Sequence, residues 1–203
     1  MVKGGDLSRY NARVSTEMNV LPILRFGINA NMSYTDQEKM QEFERLKDFL
    51  ESLDLAAEIL PKGNVLDDII LLVSLPSIEE YPSDREATEA DLHLAAGYLM
   101  DLDDTDQRLC KYLLFYSQII VDLSGFERTE ILENINQLNR NVRMGHYFYG
   151  PADGKEEEML QYRVMVSGAE DQPLDEGTVA DALLEMGVGY DIALHTFQRA
   201  AHK

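Results

Sequence analysis

The sequence predicts an α+β domain: an antiparallel five-stranded sheet with helices packed mainly on one face. Three segments repeat apolar residues every three or four positions, which is the period of an amphipathic helix. Five short β-branched or alternating segments lie between them. The predicted order is one helix, three strands, one helix, two strands and one helix, and clustered strands of this kind favour a two-layer fold.

The first predicted helix begins at Thr35, which has the spacing of a capping box with Glu38. One apolar stripe follows at helical spacing: Met40, Phe43, Leu46, Leu50 and Leu53. Residues 1–34 precede this helix. Because Pro22 excludes a central strand within the apolar run 20–24, we expect residues 1–34 to form an extended N-terminal arm or an edge strand.

Two strands are predicted on either side of a turn at residues 61–64, where Pro, Gly and Asn are turn residues. They cover residues 56–60 and 69–75. In the second, alternate residues are apolar on both faces, which is typical of a strand in the middle of a sheet that is covered on both sides.

Residues 76–107 form an acidic insertion within the single domain predicted for residues 35–203. One basic residue, Arg85, accompanies ten acidic residues there: Glu79, Glu80, Asp84, Glu86, Glu89, Asp91, Asp101, Asp103, Asp104 and Asp106. Leu92, Ala95, Ala96 and Leu99 share a helical stripe, so a short helix is predicted over 88–100. We expect a solvated insertion between strands.

Residues 112–123 fit either a strand or a helix, and the β-branched and aromatic residues favour the strand. Ser124 and Glu127 have the spacing of a second capping box, which opens a helix that ends at Gly145. A hairpin follows, with strands 146–149 and 159–167. Pro173 introduces a last helix, which we expect Gly187 and Gly189 to kink.

Three stretches resemble the YbjN family of bacterial proteins, which shares the fold of class I type III secretion chaperones. They are Ile135–Asn139, Gly145–Tyr149 and Leu160–Val164, followed by Pro173–Leu174 at the entry to the closing helix. The resemblance covers residues 36–200 and includes no catalytic signature. It implies a protein that acts by presenting surface, because secretion chaperones are acidic cytoplasmic homodimers that bind client segments. YbjN-like proteins are associated with regulatory or chaperone-like roles.

The charge of this 203-residue chain restricts its partners. The net charge of −19 repels phosphate backbones and anionic lipid, so nucleic acid and membrane surfaces are not expected partners. No apolar run is long enough to span a membrane, and residues 1–6 lack the apolar core of a signal peptide. We therefore expect a soluble, cytoplasmic protein.

The candidate metal ligands do not form a recognised pattern. Residues 101–106 contain four aspartates, but position six of an EF-hand loop would be Asp106 instead of Gly, so a solvated acidic loop is favoured. His93 lies near Glu89 and Asp91, which could form a weak metal site, although a surface histidine is favoured. His195 lies beside the apolar stripe of the last helix.

Catalytic signatures are also lacking. Cys110 has Arg108 and Lys111 as neighbours, which would activate a thiol, but its apolar surroundings favour a structural cysteine. The Gly187–Gly189 segment follows a helix instead of a strand, which excludes a dinucleotide-binding loop. We expect no catalytic residue, no metal and no cofactor.

Protein binding is the remaining candidate function. Met144, Tyr147, Tyr149 and Met165 lie on or beside the hairpin, and exposed methionine and aromatic side chains suit protein contacts. Alternatively, a second layer of the same chain covers them. The predicted function is a non-enzymatic, chaperone-like or regulatory module that binds another protein and forms a homodimer. The alternative is a metal-binding protein or hydrolase that uses carboxylates of residues 76–107.

Overall fold

The computed structural model describes residues 36–63, 66–77, 93–100, 109–151 and 158–200. In these residues the chain forms three helices: α1 (Asp36–Ser52), α2 (Arg128–Asn139) and α3 (Glu176–Ala200). It forms six strands: β1 (Ala57–Leu60), β2 (Ile70–Ser74), β3 (Leu94–Met100), β4 (Cys110–Ile119), β5 (His146–Pro151) and β6 (Glu158–Ala169). The N-terminal arm expected over residues 1–34 lies outside the described residues.

All six strands belong to one antiparallel sheet with the order β1-β2-β3-β4-β6-β5. The α+β class is confirmed, but the prediction of five strands is wrong because the sheet has six. The five predicted strands are all present, and residues 112–119 are part of β4, so the strand interpretation of that ambiguous segment is confirmed. Among the described strands, β1 and β5 lie at the edges of the sheet.

Strand β3 replaces most of the helix predicted over residues 88–100. From Leu94 to Met100 the chain is a strand between β2 and β4, buried on both faces, and residues 88–92 lie outside the described part. The prediction failed because Ala95 and Ala96 favour helices more than strands. Gly97 has a packing role: a Cβ atom there would lie 2.8 Å from a ring carbon of Phe115.

The three described helices pack on one face of the sheet, as predicted. Apolar residues of α1, α2 and α3 form the main core together with the inward residues of the strands. The inward set on β4 is Leu113, Phe115 and Ile119, and on β6 it is Leu160, Tyr162, Val164 and Val166. We call this the helix face.

The opposite side, called the outer face here, carries a smaller apolar group. Ile70, Ala96, Tyr98 and Tyr116 are buried there and form the second cluster. Leu60, Leu66 and Phe148 pack against it. No residue of a described helix belongs to this cluster.

Two helix boundaries differ from the prediction. Helix α2 begins three residues later than predicted, because Glu127 is its N-cap and the Glu130 carboxylate accepts a hydrogen bond from the Glu127 N–H at 3.0 Å. It also ends at Asn139, before Gly145, which instead adopts a left-handed backbone (φ 74°) at the start of β5. A side chain at Gly145 would collide with the backbone of Arg163.

Helix α3 continues through Gly187 and Gly189 without interruption. The two glycines allow close packing: a Cβ atom at Gly187 would collide with the carbonyl oxygen of Pro76, and one at Gly189 would lie 2.8 Å from the Tyr147 hydroxyl. In the described part of the chain, none of the helices is both long enough and apolar enough to cross a membrane.

Candidate functional site

The hairpin of β5 and β6 presents different side chains on its two faces. Residues that pair across antiparallel strands share a face, and the register pairs His146 with Arg163 and Phe148 with Gln161. Met165 shares the face of Arg163 because residues two apart in a strand point the same way. We call His146, Phe148, Arg163 and Met165, all on the outer face, the hairpin patch.

Arg163 organises the polar part of the hairpin patch. Its Nε donates a hydrogen bond to Nε2 of His146 at 2.7 Å, and its guanidinium lies 5.6 Å from the centre of the Phe148 ring. Partial burial, together with the positive charge of Arg163, lowers the pKa of His146 below its ordinary value. His146 is therefore held as a neutral hydrogen-bond acceptor, and the Arg163 side chain is fixed between a polar and an aromatic neighbour.

Met165 supplies the apolar part of the hairpin patch. Half of its surface is exposed (50%), although it pairs with Leu114, which is buried in the middle of β4. Arg163 and Ser167, which lie two residues before and after Met165 on the same face of β6, are also exposed. A flexible apolar side chain is thus presented to solvent beside a fixed cation, an arrangement that can adapt its shape to a partner.

The four residues predicted to bind a partner do not lie on one face. Met165 faces away from the helices, as expected. Tyr147 and Tyr149 pair with Tyr162 and Leu160 and therefore face the helices, and Met144 packs against the main core as well. Their common role in partner binding stays a prediction, but Tyr147 is 2% exposed and cannot contribute a surface while the chain is folded this way.

Tyr147 and Tyr162 have a structural role instead. Their rings stack with centres 4.3 Å apart, the Tyr147 hydroxyl donates to the Gly189 carbonyl at 2.6 Å, and the Tyr162 hydroxyl donates to the Met144 carbonyl at 2.5 Å. Burial, with a smaller contribution from Glu185, raises the pKa of Tyr162 to about 12. Burial and Tyr162 likewise raise the pKa of Tyr147. Both side chains stay protonated. The Tyr147 hydroxyl joins the hairpin to α3, and the Tyr162 hydroxyl holds the segment before β5.

The free edge of β5 is partly closed by a side chain. The Asn139 amide donates to the Tyr147 carbonyl at 3.0 Å and accepts from the Tyr147 N–H at 2.7 Å. The side chain thus occupies the two backbone groups that a neighbouring strand would use. Arg128 also lies 5.5 Å from the centre of the Tyr149 ring. This edge is therefore protected against strand addition at Tyr147.

A cleft of about 370 Å³ lies between the first half of α1, the start of β4 and the segment that follows β6. Its central group is Glu42, whose carboxylate contacts Arg45 at 2.6 Å and Lys111 at 3.3 Å and accepts from the Leu174 N–H at 2.9 Å. Arg45 also contacts Glu176 at 2.5 Å. These contacts connect α1 to the start of α3.

The charges of this network are tightly coupled. Burial alone would raise the pKa of Glu42, but the hydrogen bonds from Arg45 and Leu174 and the charge of Lys111 outweigh burial and hold that pKa below its ordinary value. The charged groups at the centre of the cleft are already bonded to one another. This favours a structural role for the cleft, which connects α1 to the start of α3, over a role in ligand binding.

A second buried polar group surrounds Asp191 on α3. Its carboxylate accepts from the Ser77 hydroxyl at 3.2 Å and lies 3.5 Å from Nδ1 of His93, whose ring stacks on Tyr190 with centres 3.8 Å apart. The prediction of a surface histidine at position 93 is wrong, because His93 is 3% exposed. Asp191 lies between Ser77 and His93, so the order of a catalytic triad, with histidine in the middle, is not present.

The other candidate residues do not assemble into a site. In the ranges the structure describes, no three His, Cys, Asp or Glu side chains come close enough to hold a metal ion. The acidic residues 101–106, and Glu89 and Asp91 beside His93, lie outside the described ranges. Cys110 is half-buried at the start of β4, and His195 is half-buried on α3.

Sequence reasoning did not single out His146, Phe148 or Arg163, but it did predict that Met165 faces away from the helices. In β6, Gln161, Arg163 and Met165 alternate with apolar residues. This alternation correctly indicated which side of the strand faces away from the helices. The corresponding signal for β5 was lacking, because the side on which its residues lie depends on the register across the turn.

Comparisons with known proteins gave a fold likeness and no family. No family model matches the chain, and no curated protein matches it. Among solved structures, the crystal structure of YbjN from E. coli, a proposed transcription regulator, is similar with 12% identity and a TM-score of 0.38. The match covers 72% of this chain and 87% of that one. At this identity and TM-score the similarity shows neither a family nor a role for this chain.

Proposed function

We propose that this chain is a non-enzymatic protein-binding module, chaperone-like or regulatory, whose contact surface is the hairpin patch. The observation that supports this proposal is the exposed Met165 on a sheet face against which no described helix packs. On this face Arg163, Met165 and Ser167 form an exposed row along β6. Such a surface suits another polypeptide better than a small molecule, which prefers an enclosed cavity.

The chemistry of the hairpin patch supports the same proposal. Methionine, arginine and aromatic residues are enriched at protein interfaces, and the patch contains one of each in Met165, Arg163 and Phe148. Arg163 is positively charged in a chain of net charge −19. A partner with an acidic or hydrogen-bond-accepting group opposite Arg163 and an apolar group opposite Met165 would match the patch.

The assignment as non-enzymatic is part of the proposal. In the described residues, the strongest ionic groups hold elements of the fold together: Glu42 joins α1 to the segment before α3, and Asp191 joins α3 to Ser77 and His93. Carboxylates whose hydrogen bonds already hold elements of the fold together favour a structural role over a catalytic one. The finer assignment to a type III secretion chaperone-like fold rests on the sequence resemblance and remains part of the proposal.

Self-association is also proposed. Leu184 and Ile192 are exposed on α3, at 47% and 48%, and offer a second copy an apolar contact away from the hairpin patch. Multi-angle light scattering of the purified chain over a range of concentrations measures its mass directly. A mass of two chains is expected, and a strict monomer at high concentration would contradict the homodimer.

The test of the contact surface is affinity capture from the cytosol of the native cell with matched variants. Met165→Asp places a charge in the hairpin patch, and Ile120→Asp places the same charge on an equally exposed residue just after β4 that belongs to neither proposed contact. We expect a protein that the wild type and Ile120→Asp both retain to be lost with Met165→Asp. Equal retention by all three chains would show that the hairpin patch is not the contact surface.

The alternative of a metal protein or hydrolase that uses carboxylates of residues 76–107 has a separate test. Calorimetric titration with calcium, magnesium and zinc should give no binding in the micromolar range. Micromolar binding that Asp103→Asn and Asp104→Asn abolish would favour the alternative and count against the protein-binding proposal.

A further inference from the structure

Arg163 is the single charged side chain on the outer face of the four strands around the hairpin patch. In β3, β4, β5 and β6 the charged residues are Lys111, Glu158 and Arg163. Lys111 and Glu158 alternate with the outward residues and lie on the helix face, where they contact Glu42 of α1 and Arg128 of α2. The outer face of these strands therefore presents one exposed cation and no carboxylate, in a chain whose net charge is −19.

The guanidinium of Arg163 is oriented by this chain but is left without an anion. Its Nε donates to Nε2 of His146 at 2.7 Å, and its carbon lies 5.6 Å from the centre of the Phe148 ring. Arg128 and Arg143 each contact a carboxylate of the chain, whereas no carboxylate of the described residues contacts Arg163. The remaining N–H donors of Arg163, on its Nη atoms, form the planar fork that can bind a carboxylate through two parallel hydrogen bonds.

The spacing along β6 fixes the distance between this fork and the apolar part of the hairpin patch. Met165 follows Arg163 on the same face of the strand, so the two positions are about 7 Å apart. Both side chains are exposed. Because an extended polypeptide has the same repeat, side chains two residues apart in such a segment can contact Arg163 and Met165 together.

The negative charge of the whole chain does not exclude an acidic partner at this position. At physiological ionic strength, charges more than about 8 Å apart are largely screened. A carboxylate in direct contact with a guanidinium is instead attracted through short, charge-assisted hydrogen bonds. On the outer face of β3, β4, β5 and β6 no carboxylate stands beside Arg163 to oppose this contact.

We propose that the hairpin patch binds an extended acidic segment of another protein. A carboxylate of that segment accepts hydrogen bonds from the Nη atoms of Arg163, and an apolar side chain two residues away packs on Met165. His146 is a positioning residue, because it accepts from Nε and so fixes the plane of the guanidinium beside Phe148. This inference rests on the proposed function, since it names the partner chemistry of the same surface.

Titration of the ¹⁵N-labelled full-length chain with capped peptides, followed by amide NMR, tests the inference. The first peptide is Thr-Thr-Asp-Thr-Leu-Thr-Thr, in which threonine favours the extended form. A second peptide has Asn in place of Asp, and a third has Leu three residues after Asp instead of two. The amide resonances of β5 and β6 report binding, and the peptide concentration at half saturation gives the affinity.

We expect the first peptide to shift the resonances of β5 and β6 and to bind at least about tenfold more tightly than the Asn peptide. Arg163→Gln should abolish this preference, and Arg143→Gln, at an exposed arginine outside the hairpin patch, should keep it. His146→Leu should reduce the preference, whereas His146→Gln, which retains an acceptor for Nε, should keep most of it. A merely structural role of His146 would change the binding of both peptides alike.

Equal binding of the Asp and Asn peptides, tighter binding of the peptide with the longer spacing, or no shift in β5 and β6 at millimolar peptide would overturn the inference. Resonances of the hairpin patch that move with the concentration of the chain alone would show that a second copy occupies the surface, and would overturn it as well. A captured protein that Met165→Asp loses but Arg163→Gln retains would leave the proposed function intact and refute the acidic segment alone.

Discussion

The helix face and the outer face of the sheet differ in how they bury side chains. On the helix face, residues from all three described helices and from all six strands form one main core. On the outer face, the second cluster has four buried side chains, and in the hairpin patch beside it Arg163 and Met165 are exposed while His146 and Phe148 are half-buried. One face therefore determines the fold, and the other has surface left for contacts that the fold does not require.

The largest effect should appear in two adjacent leucines of β4 that point to opposite faces. Leu113 is fully buried on the helix face, and Leu114 is 8% exposed on the outer face. Leu113→Ala should lower the free energy of unfolding by about 3–5 kcal/mol, and Leu114→Ala by about 2–3 kcal/mol, because the cost grows with the cavity left behind. Urea denaturation measures both. A larger loss for Leu114→Ala would reverse the comparison.

The next effect concerns the buried polar group around Asp191 on α3. Asp191→Asn removes the charge that Ser77 and His93 contact and should lower the free energy of unfolding by about 1–3 kcal/mol. Asp181→Asn, the same change at an exposed position of α3, should alter stability by less than about 0.5 kcal/mol. Equal effects of the two substitutions would show that the Asp191 contacts contribute nothing.

The edge of the sheet gives an effect of similar or smaller size. Asn139→Ala removes both hydrogen bonds to the Tyr147 backbone and should cost about 1–2 kcal/mol. It should also increase self-association, because the backbone of β5 becomes open to another strand. Asn134→Ala, on the same helix, is the control. Denaturation and light scattering together check the prediction, and unchanged association would contradict the protective role of Asn139.

The smallest effect concerns the way in which stability depends on pH. The pKa of Glu42 is lower in the folded chain than its ordinary value of 4.5, so its contribution is fully present above that value and is lost as pH falls through the folded pKa. Glu42→Gln should remove this part of the acid dependence and reduce stability near neutral pH. Glu44→Gln, an exposed carboxylate of α1, should keep the wild-type profile. Thermal unfolding between pH 3 and pH 7 separates these outcomes.

The sequence predicted five of six strands because each has β-branched, aromatic or strictly alternating residues. It did not predict β3, whose centre is Ala95, Ala96 and Gly97. These residues are small because β3 lies between β2 and β4, where larger side chains would collide with neighbours such as Phe115. This crowding is visible only in the folded chain. The stretch from Leu94 to Met100 is nevertheless uncharged and apolar on both faces, and this could have indicated a buried strand.

The candidate site was predictable in part. Met165 was placed on the outward side because β6 alternates clearly. Tyr147 and Tyr149 were grouped with it, although cross-strand pairing puts them with Tyr162 and Leu160 on the helix face. A register shift of one residue moves a whole strand to the opposite face, and no local pattern in β5 determined that register. His93 was misjudged for a related reason, since its partner Asp191 is distant in sequence.

Hydrogen exchange of the free chain and of its complex with the captured partner tests most directly whether the outer face is the contact surface. We predict slower exchange in His146–Pro151 and Glu158–Ala169 on complex formation, with α3 and the α1 side of the cleft unchanged. Slower exchange confined to α3 or to the cleft, with the hairpin unaffected, would contradict the division of roles between the two faces.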